Sequence, residues 1–248
     1  MPRISAFRGL RYDVGHVGSL EGVVAPDLGC IDAAMQKELY QRHPANVVRL
    51  IRNREEPGDE PGDQSARAGR FFRNWQREGV LQREPDPAIY VYHQVAANQQ
   101  VTRGFIGLLE MTDEVIVKET SVDQQLIGRR LELLRAAEAN LAMVTGVYST
   151  LESEVQDVLD EAVINVAPIE TQDATGTIHH IWPVTDIERV NAASTLAASI
   201  HITIVGGAAD FLAAKHRVDD DSNFDNSKVM VALFESDQLD PLDAESIA

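Results

Sequence analysis

Residues 200–217 read Ile200-His201-Ile202-Thr203-Ile204-Val205, then Gly206-Gly207, then an Ala-rich run from Ala208 to His216, ending at Arg217. The first six residues are mostly β-branched and apolar, the composition of a buried strand. Two glycines break it, and the run that follows has the propensity of a helix. A strand, a glycine turn and a helix N-terminus leave backbone N–H groups free to hold an anion such as a phosphate. A tight turn needing positive φ accounts for the same glycines. Asp210, in the first helical turn, suits the helix dipole but repels a phosphate. Nothing in the turn can move a proton, attack a bond or bind a metal. Gly206 and Gly207 are therefore cofactor-binding candidates through their backbone alone.

Outward from this stretch, strand and helix patterns are mixed. Met1 to Ala25 reads as loops with a short strand near Val23-Val24. Asp32 opens a helix to about Arg42, with Ile31, Met35 and Leu39 on one face. Val47 to Ile51 is strand-like. Glu55 to Asp63 is an acidic Pro/Gly loop. Gln64 to Glu78 is helical, with Ala68, Phe71, Phe72 and Trp75 as its apolar stripe and Gly79 as its stop. Ile89 to Val95 and Val101 to Met111 have hairpin spacing, and Val115 to Val117 is a short third strand. Asp123 opens a helix to about Ala139, and Ala142 to Tyr148 is a strand. Ser149 with Glu152 has capping-box spacing before a helix from Leu151 to Val163. Thr177 to Val184 is a strand, and Thr185 with Glu188 repeats the capping-box spacing before a helix to Ala198. Lys228 to Phe234 is the last strand. Hairpin and alternating connections together indicate an α+β or mixed α/β fold.

The chain has 248 residues, 44% hydrophobic and 25% charged, enough for a sizeable core in one or two domains. Its 22 basic against 39 acidic residues give a net charge of −17. That field disfavours nucleic acid and anionic membrane as partners. No apolar run reaches a membrane-spanning length, and Met1 to Asp13 lacks the apolar segment of a secretory signal. Cys30 is the single cysteine, so no disulfide forms within the chain. Cytoplasm is the expected location.

Few residues suggest chemistry. His179-His180 looks metal-like, but neighbours on a strand point to opposite faces and cannot chelate together. Cys30 needs a nearby base to be a nucleophile, and a free cysteine more often behaves as a small hydrophobe. Lys118-Glu119 near a strand end is an acid/base candidate, against the commoner solvated pair. His201, on an apolar strand, reads as a satisfied or edge histidine.

Several blocks resemble the family catalogued as domain of unknown function 1015. They include Ile4-Ser5-Ala6-Phe7-Arg8-Gly9-Leu10, Val24-Ala25-Pro26, and His43-Pro44-Ala45-Asn46-Val47-Val48-Arg49-Leu50-Ile51. Further carriers are Phe71 to Trp75, Gly79-Val80-Leu81, Ala88-Ile89-Tyr90-Val91-Tyr92 and Arg103-Gly104-Phe105-Ile106-Gly107. They continue with Arg130-Leu131-Glu132-Leu133-Leu134-Arg135-Ala136, Ala139-Asn140-Leu141, Gly146-Val147-Tyr148 and Trp182-Pro183-Val184. The family is similar to the ParB/sulfiredoxin-like fold and to free-serine kinases built on it. The resemblance implies a mixed sheet with flanking helices and a nucleotide, ADP or ATP with Mg, as cofactor if the chain is active.

The family's polar signatures are replaced here. Asp27-Leu28-Gly29 stands for Pro-Tyr-Asp, and Val117-Lys118-Glu119-Thr120 covers a Pro-His-Glu segment. Val205 to Ala213 covers Asp-Gly-His-His-Arg-Tyr-Glu-Thr-Ala, of which Gly206 and Ala213 remain, with Arg217 further along. The family also continues beyond the strand ending at Phe234.

The expectation is one family-like region over 1–235, or two subdomains at 1–112 and 113–235, with an acidic tail at 236–248. The chain is expected to be a degenerate, C-terminally truncated member, a pseudoenzyme that binds a ligand or a protein. Self-association or a protein partner is expected at the truncated C-terminal side. The alternative is an active nucleotide-dependent, kinase-like phosphotransferase acting on an amino acid or other small molecule. Glu119, Lys118, His201 and Arg217 would be its catalytic candidates.

Overall fold

The computed structural model describes residues 3–26, 28–119, 121–149, 154–218 and 227–236. Its frame is the expected hairpin, β4 (Ile89–Val95) and β5 (Val101–Glu110), with Val95 opposite Val101 and Tyr90 opposite Ile106. β11 (Lys228–Glu235) runs antiparallel along β5, and β7 (Val144–Tyr148) parallel along β11. β10 (Thr203–Gly206) continues antiparallel to β7, and β6 (Ile116–Val117) pairs parallel with β10 at one edge. On the other side β9 (Ile178–Val184) joins β4, and β8 (Ile169–Gln172) forms the far edge. With β1 (Ile4–Ser5) added to β5, this is a 9-stranded mixed sheet ordered β6-β10-β7-β11-β5-β4-β9-β8. β2 (Leu10–Tyr12) and β3 (Leu81–Arg83) make a separate two-stranded ribbon. The fold is mixed α/β, a large mixed sheet flanked by helices.

Most of the longer helices start at an aspartate or a glycine turn. Asp32 accepts the Met35 N–H before α2 (Ala33–Arg42), and Asp123 accepts the Gln125 N–H before α5 (Gln124–Ala137). α4 (Asp63–Arg77) follows Gly62 at φ 93. α1 (Val14–Val17) and α3 (Val48–Ile51) are single turns. α6 (Val155–Val163), α7 (Ile187–Ala197) and α8 (Ala208–Val218) complete the set. The main core joins these last helices to the sheet, through Leu159, Val190 and Phe211 against Val91, Phe105 and Val231. A second core of Val23, Leu50, Phe72, Trp75 and Leu81 holds the N-terminal helices together.

The structure corrects several expectations. Val47 to Ile51 is not a strand: Val47 is the N-cap of α3 and Val48–Ile51 is α3 itself. Asn46 is fully buried; its side-chain amide donates to the carbonyls of Gly22 and Val24 at 2.9 Å, and its carbonyl accepts the Val48 N–H at 3.0 Å. That side chain caps a helical turn and overrides the strand preference of Val47-Val48. It also folds Gly22 to Val24 into a turn where a short strand is expected. The helix after Thr185 is capped by Asp186, whose carboxylate accepts the N–H groups of Glu188 and Arg189. Glu152, the partner expected for Ser149, lies outside the described residues, as does most of the acidic tail. β11, the last strand, sits in the middle of the sheet, between β7 and β5.

Candidate functional site

The Gly206-Gly207 corner is built from two parallel strand ends. β6 and β10 run side by side, and the Lys118 N–H donates to the Ile204 carbonyl at 2.9 Å. Lys118 and Glu119, both exposed, therefore lie at the same end of the sheet as Gly206. Gly207 takes φ 72, and a Cβ there would stand 3.1 Å from Val144 Cα and 3.4 Å from the Met143 carbonyl oxygen. Backbone conformation and packing each demand glycine. α8 begins at Ala208, and Asp210 in its first turn brings Oδ1 to 3.4 Å from Arg130 Nε of α5.

The other sequence candidates lie elsewhere. His201 is exposed and precedes β10, at the opposite end of that strand from Gly206. Arg217 is 5% exposed near the end of α8, and its Nη1 donates to the Leu134 carbonyl at 3.0 Å. Ten residues of helix separate it from Gly207, about 15 Å. The structure thus gathers Lys118, Glu119, Gly206 and Gly207, and leaves His201 and Arg217 apart.

A cleft of about 410 Å³ opens between two groups of helices. One wall comes from α2 to α4, the other from α5. Arg52, Asn53, Gln64, Arg129 and Arg130 line it. A separate small cavity of about 20 Å³ lies next to it, shares Arg130 and is lined by Asp210. The walls are pinned at Gly69 of α4, where a Cβ would lie 2.3 Å from the Ala136 carbonyl oxygen of α5. That oxygen also accepts from Arg73 Nη1 at 2.9 Å. The arginines of this cleft carry no ligand-binding signal in the sequence, because Arg52 and Arg129 stand 77 residues apart and only the tertiary fold joins them.

A second polar constellation crosses the opposite end of the sheet. Register places Glu170, His180, His93 and Arg103 in one row, and Glu235 beside Tyr148 further along. Asp160 of α6 accepts from His93 Nε2 and Arg103 Nη1, both at 3.0 Å, and from Gln156 Nε2 at 2.7 Å. His180 Nε2 meets Glu170 at 2.8 Å, and Trp182 lies edge-on to both histidines. Burial pushes the Tyr148 hydroxyl pKa up, with Glu235 and Asp160 adding to the effect and Arg103 opposing it. With three donors on one carboxylate, Asp160 fastens α6 to β4 and β5. The signal for it was in the sequence: the hairpin register that pairs Val95 with Val101 also pairs His93 with Arg103.

His179 faces the other way, as strand alternation requires. Its Nδ1 is 2.7 Å from the Tyr92 hydroxyl and its Nε2 3.2 Å from Asp173. The Tyr92 hydroxyl accepts from Gln94, which leaves its own proton for His179. Among the described residues no group of three or more His, Cys, Asp or Glu is arranged to hold a metal ion, and no helix is long and apolar enough to cross a membrane.

A model of the family described as "Protein of unknown function (DUF1015)" matches residues 4–207, from β1 to the glycine turn. No curated protein and no solved structure matches the chain.

Proposed function

We propose, from the premise that the chain belongs to the DUF1015 family, that it is a non-catalytic ligand-binding protein whose site is the cleft between α2–α4 and α5. The observation that carries this reading is the cleft itself. It has about 410 Å³ of room between the N-terminal helices and α5. Small-molecule sites favour such seams. The corner presents Gly207, Ala208 and Ala209 where the related motif carries its titratable groups. General acid/base catalysis and phosphoryl positioning need such groups within hydrogen-bond reach. A backbone turn and a cleft bind without supplying them.

The ParB/sulfiredoxin-like resemblance makes a nucleotide the first ligand to test. Calorimetry with ADP and ATP in the presence of Mg, with turnover assayed against a panel of amino acids, separates the readings. Saturable binding without turnover supports the proposal. Turnover lost on Glu119→Gln overturns it in favour of a phosphotransferase, since Glu119 and Lys118 are the candidates that lie at the corner. Light scattering checks the self-association expected from the sequence.

A further inference from the structure

We infer that His93 and His180 form a two-histidine site for a late first-row transition ion, Cu(II) above all, at the seam of β4 and β9 on the face that α6 covers. The pair shares no residue with the cleft or the glycine corner.

Strand register builds the pair. His179 and His180 are neighbours in sequence and point to opposite faces, so they cannot share an ion. β4 and β9 run antiparallel, and their register sets His93 directly opposite His180. Directly opposed residues on one face have Cβ atoms about 4.5–5.5 Å apart. Two imidazoles at that spacing reach one ion at the usual metal–nitrogen distance of about 2.0–2.1 Å. Both rings stand edge-on to Trp182, with centroids 5.1 and 5.6 Å from its ring.

The tautomers give the second observation. Each histidine turns its Nε2 to a carboxylate, His93 to Asp160 at 3.0 Å and His180 to Glu170 at 2.8 Å. An ionised carboxylate only accepts, so in the neutral rings both Nε2 atoms carry the proton and both Nδ1 atoms keep a bare lone pair. Neither Nδ1 has a hydrogen-bond partner among the described residues, and neither is a buried atom. The two side chains are 17% and 22% exposed, open enough for an ion to enter from solvent. A carboxylate on one ring nitrogen and a metal on the other is the usual surrounding of a histidine ligand; the carboxylate fixes the ring and raises its basicity. Arg103 and Gln156 hold Asp160 in place in turn.

The donor set decides the metal class. Mg and Ca take oxygen ligands, whereas imidazole suits Cu, Ni and Zn. Affinity rises along the first-row series to Cu(II) and falls again at Zn(II). No third His, Cys, Asp or Glu among the described residues joins the pair as a ligand. Water or a small ligand therefore completes the coordination sphere, and the ion exchanges freely, unlike one in a closed four-ligand structural site.

The experiment titrates the untagged chain with the chlorides of Cu(II), Ni(II), Zn(II) and Mg(II), read by calorimetry and by tryptophan fluorescence. It uses a Cys30→Ser background, because that exposed thiol competes for soft ions. Trp182 is the reporter, since Cu(II) held by the two rings beside it quenches its emission; Trp75 lies in the other core. One Cu(II) per chain is expected to bind, Ni(II) and Zn(II) more weakly, and Mg(II) not at all. His93→Gln and His180→Gln are each expected to lower Cu(II) affinity by more than the roughly tenfold that goes with an outer-shell partner, and Glu170→Gln by about that tenfold. His179→Gln, on the opposite face, is expected to leave affinity unchanged. Circular dichroism checks each variant; should His93→Gln lose the fold, His180→Gln at the more open position decides. Cu(II) binding that survives His180→Gln, or that falls equally in His179→Gln, overturns the site. With both variants folded, a loss confined to one of the two histidines overturns the shared ion. Failure of excess Cu(II) to quench Trp182 overturns the inference, and Mg(II) bound as tightly as Cu(II) overturns the metal class.

Discussion

Gly69→Ala sets two physical effects against each other at the wall of the cleft. Gly69 lies inside α4, and helix propensity alone favours alanine there by about 1 kcal/mol. Packing opposes it. The new Cβ would sit 2.3 Å from the Ala136 carbonyl oxygen and 2.8 Å from its carbon. A carbon–oxygen contact needs roughly 3.3 Å, so α4 and α5 must separate by about 1 Å. The obstacle is backbone, and the α4 side is anchored by Ala68, Phe72 and Trp75, which are 0%, 6% and 5% exposed. Overpacking of this kind costs about 3 kcal/mol. Net destabilisation of about 2 kcal/mol follows, a fall of roughly 4–8 °C in Tm for a chain of this length. Urea denaturation followed by circular dichroism reads it as a lower midpoint with an unchanged slope. Ala68 and Ser65 line the cleft on the same helix, so ligand affinity falls as well. A Gly69→Ala protein as stable as the wild type, or more stable, refutes the close approach of the two helices.

Tyr148→Phe removes a buried hydroxyl that has no hydrogen-bond partner; stability should be unchanged or rise by up to about 1–2 kcal/mol in thermal melts, and a loss above about 1 kcal/mol contradicts that. Asp160→Ala strands His93, Arg103 and Gln156. It should cost about 2 kcal/mol, less than a fully buried pair because Arg103 is 42% exposed. Burial alone would raise the Asp173 pKa, but hydrogen bonds from the Thr175 hydroxyl, His179 and the N–H groups of Thr177 and Thr175 outweigh it and hold the carboxyl below its usual range. A lowered folded-state pKa stabilises above the unfolded value, about 3.9, and that contribution is lost as pH falls through the folded value. Denaturation midpoints should drop on acidification below about pH 4, and Asp173→Asn should flatten that segment of the profile; an unaltered profile in the variant excludes the residue.

Much of the fold was legible where local pattern and tertiary environment agree. The stripe of Ala68, Phe72 and Trp75 gave α4, and alternation gave the β4–β5 hairpin. Legibility failed where a distant partner decides. Val47-Val48 has strand propensity, but the buried side chain of Asn46 turns the chain into α3. Ile169 to Gln172 was missed because a short edge strand with polar alternate residues carries little signal. The expected strand from Ile200 begins only at Thr203, since the Ile200 N–H is taken by Ala197 in the turn after α7. The place of β11 between β7 and β5 rests on pairings more than 80 residues apart, which no local pattern encodes. The candidate site divides in the same way. Its glycine turn was visible in residues 200–217, whereas Arg52 and Arg129-Arg130 meet only when the α2–α4 layer packs against α5.

Calorimetric titration of ADP with Mg into the wild-type protein and into Glu119→Gln, with phosphoryl transfer measured on the same samples, tests the central claim most directly. The account predicts saturable binding of equal affinity in both proteins and no transfer in either. Transfer by the wild type that disappears in Glu119→Gln, or no binding even at millimolar ADP, would contradict it.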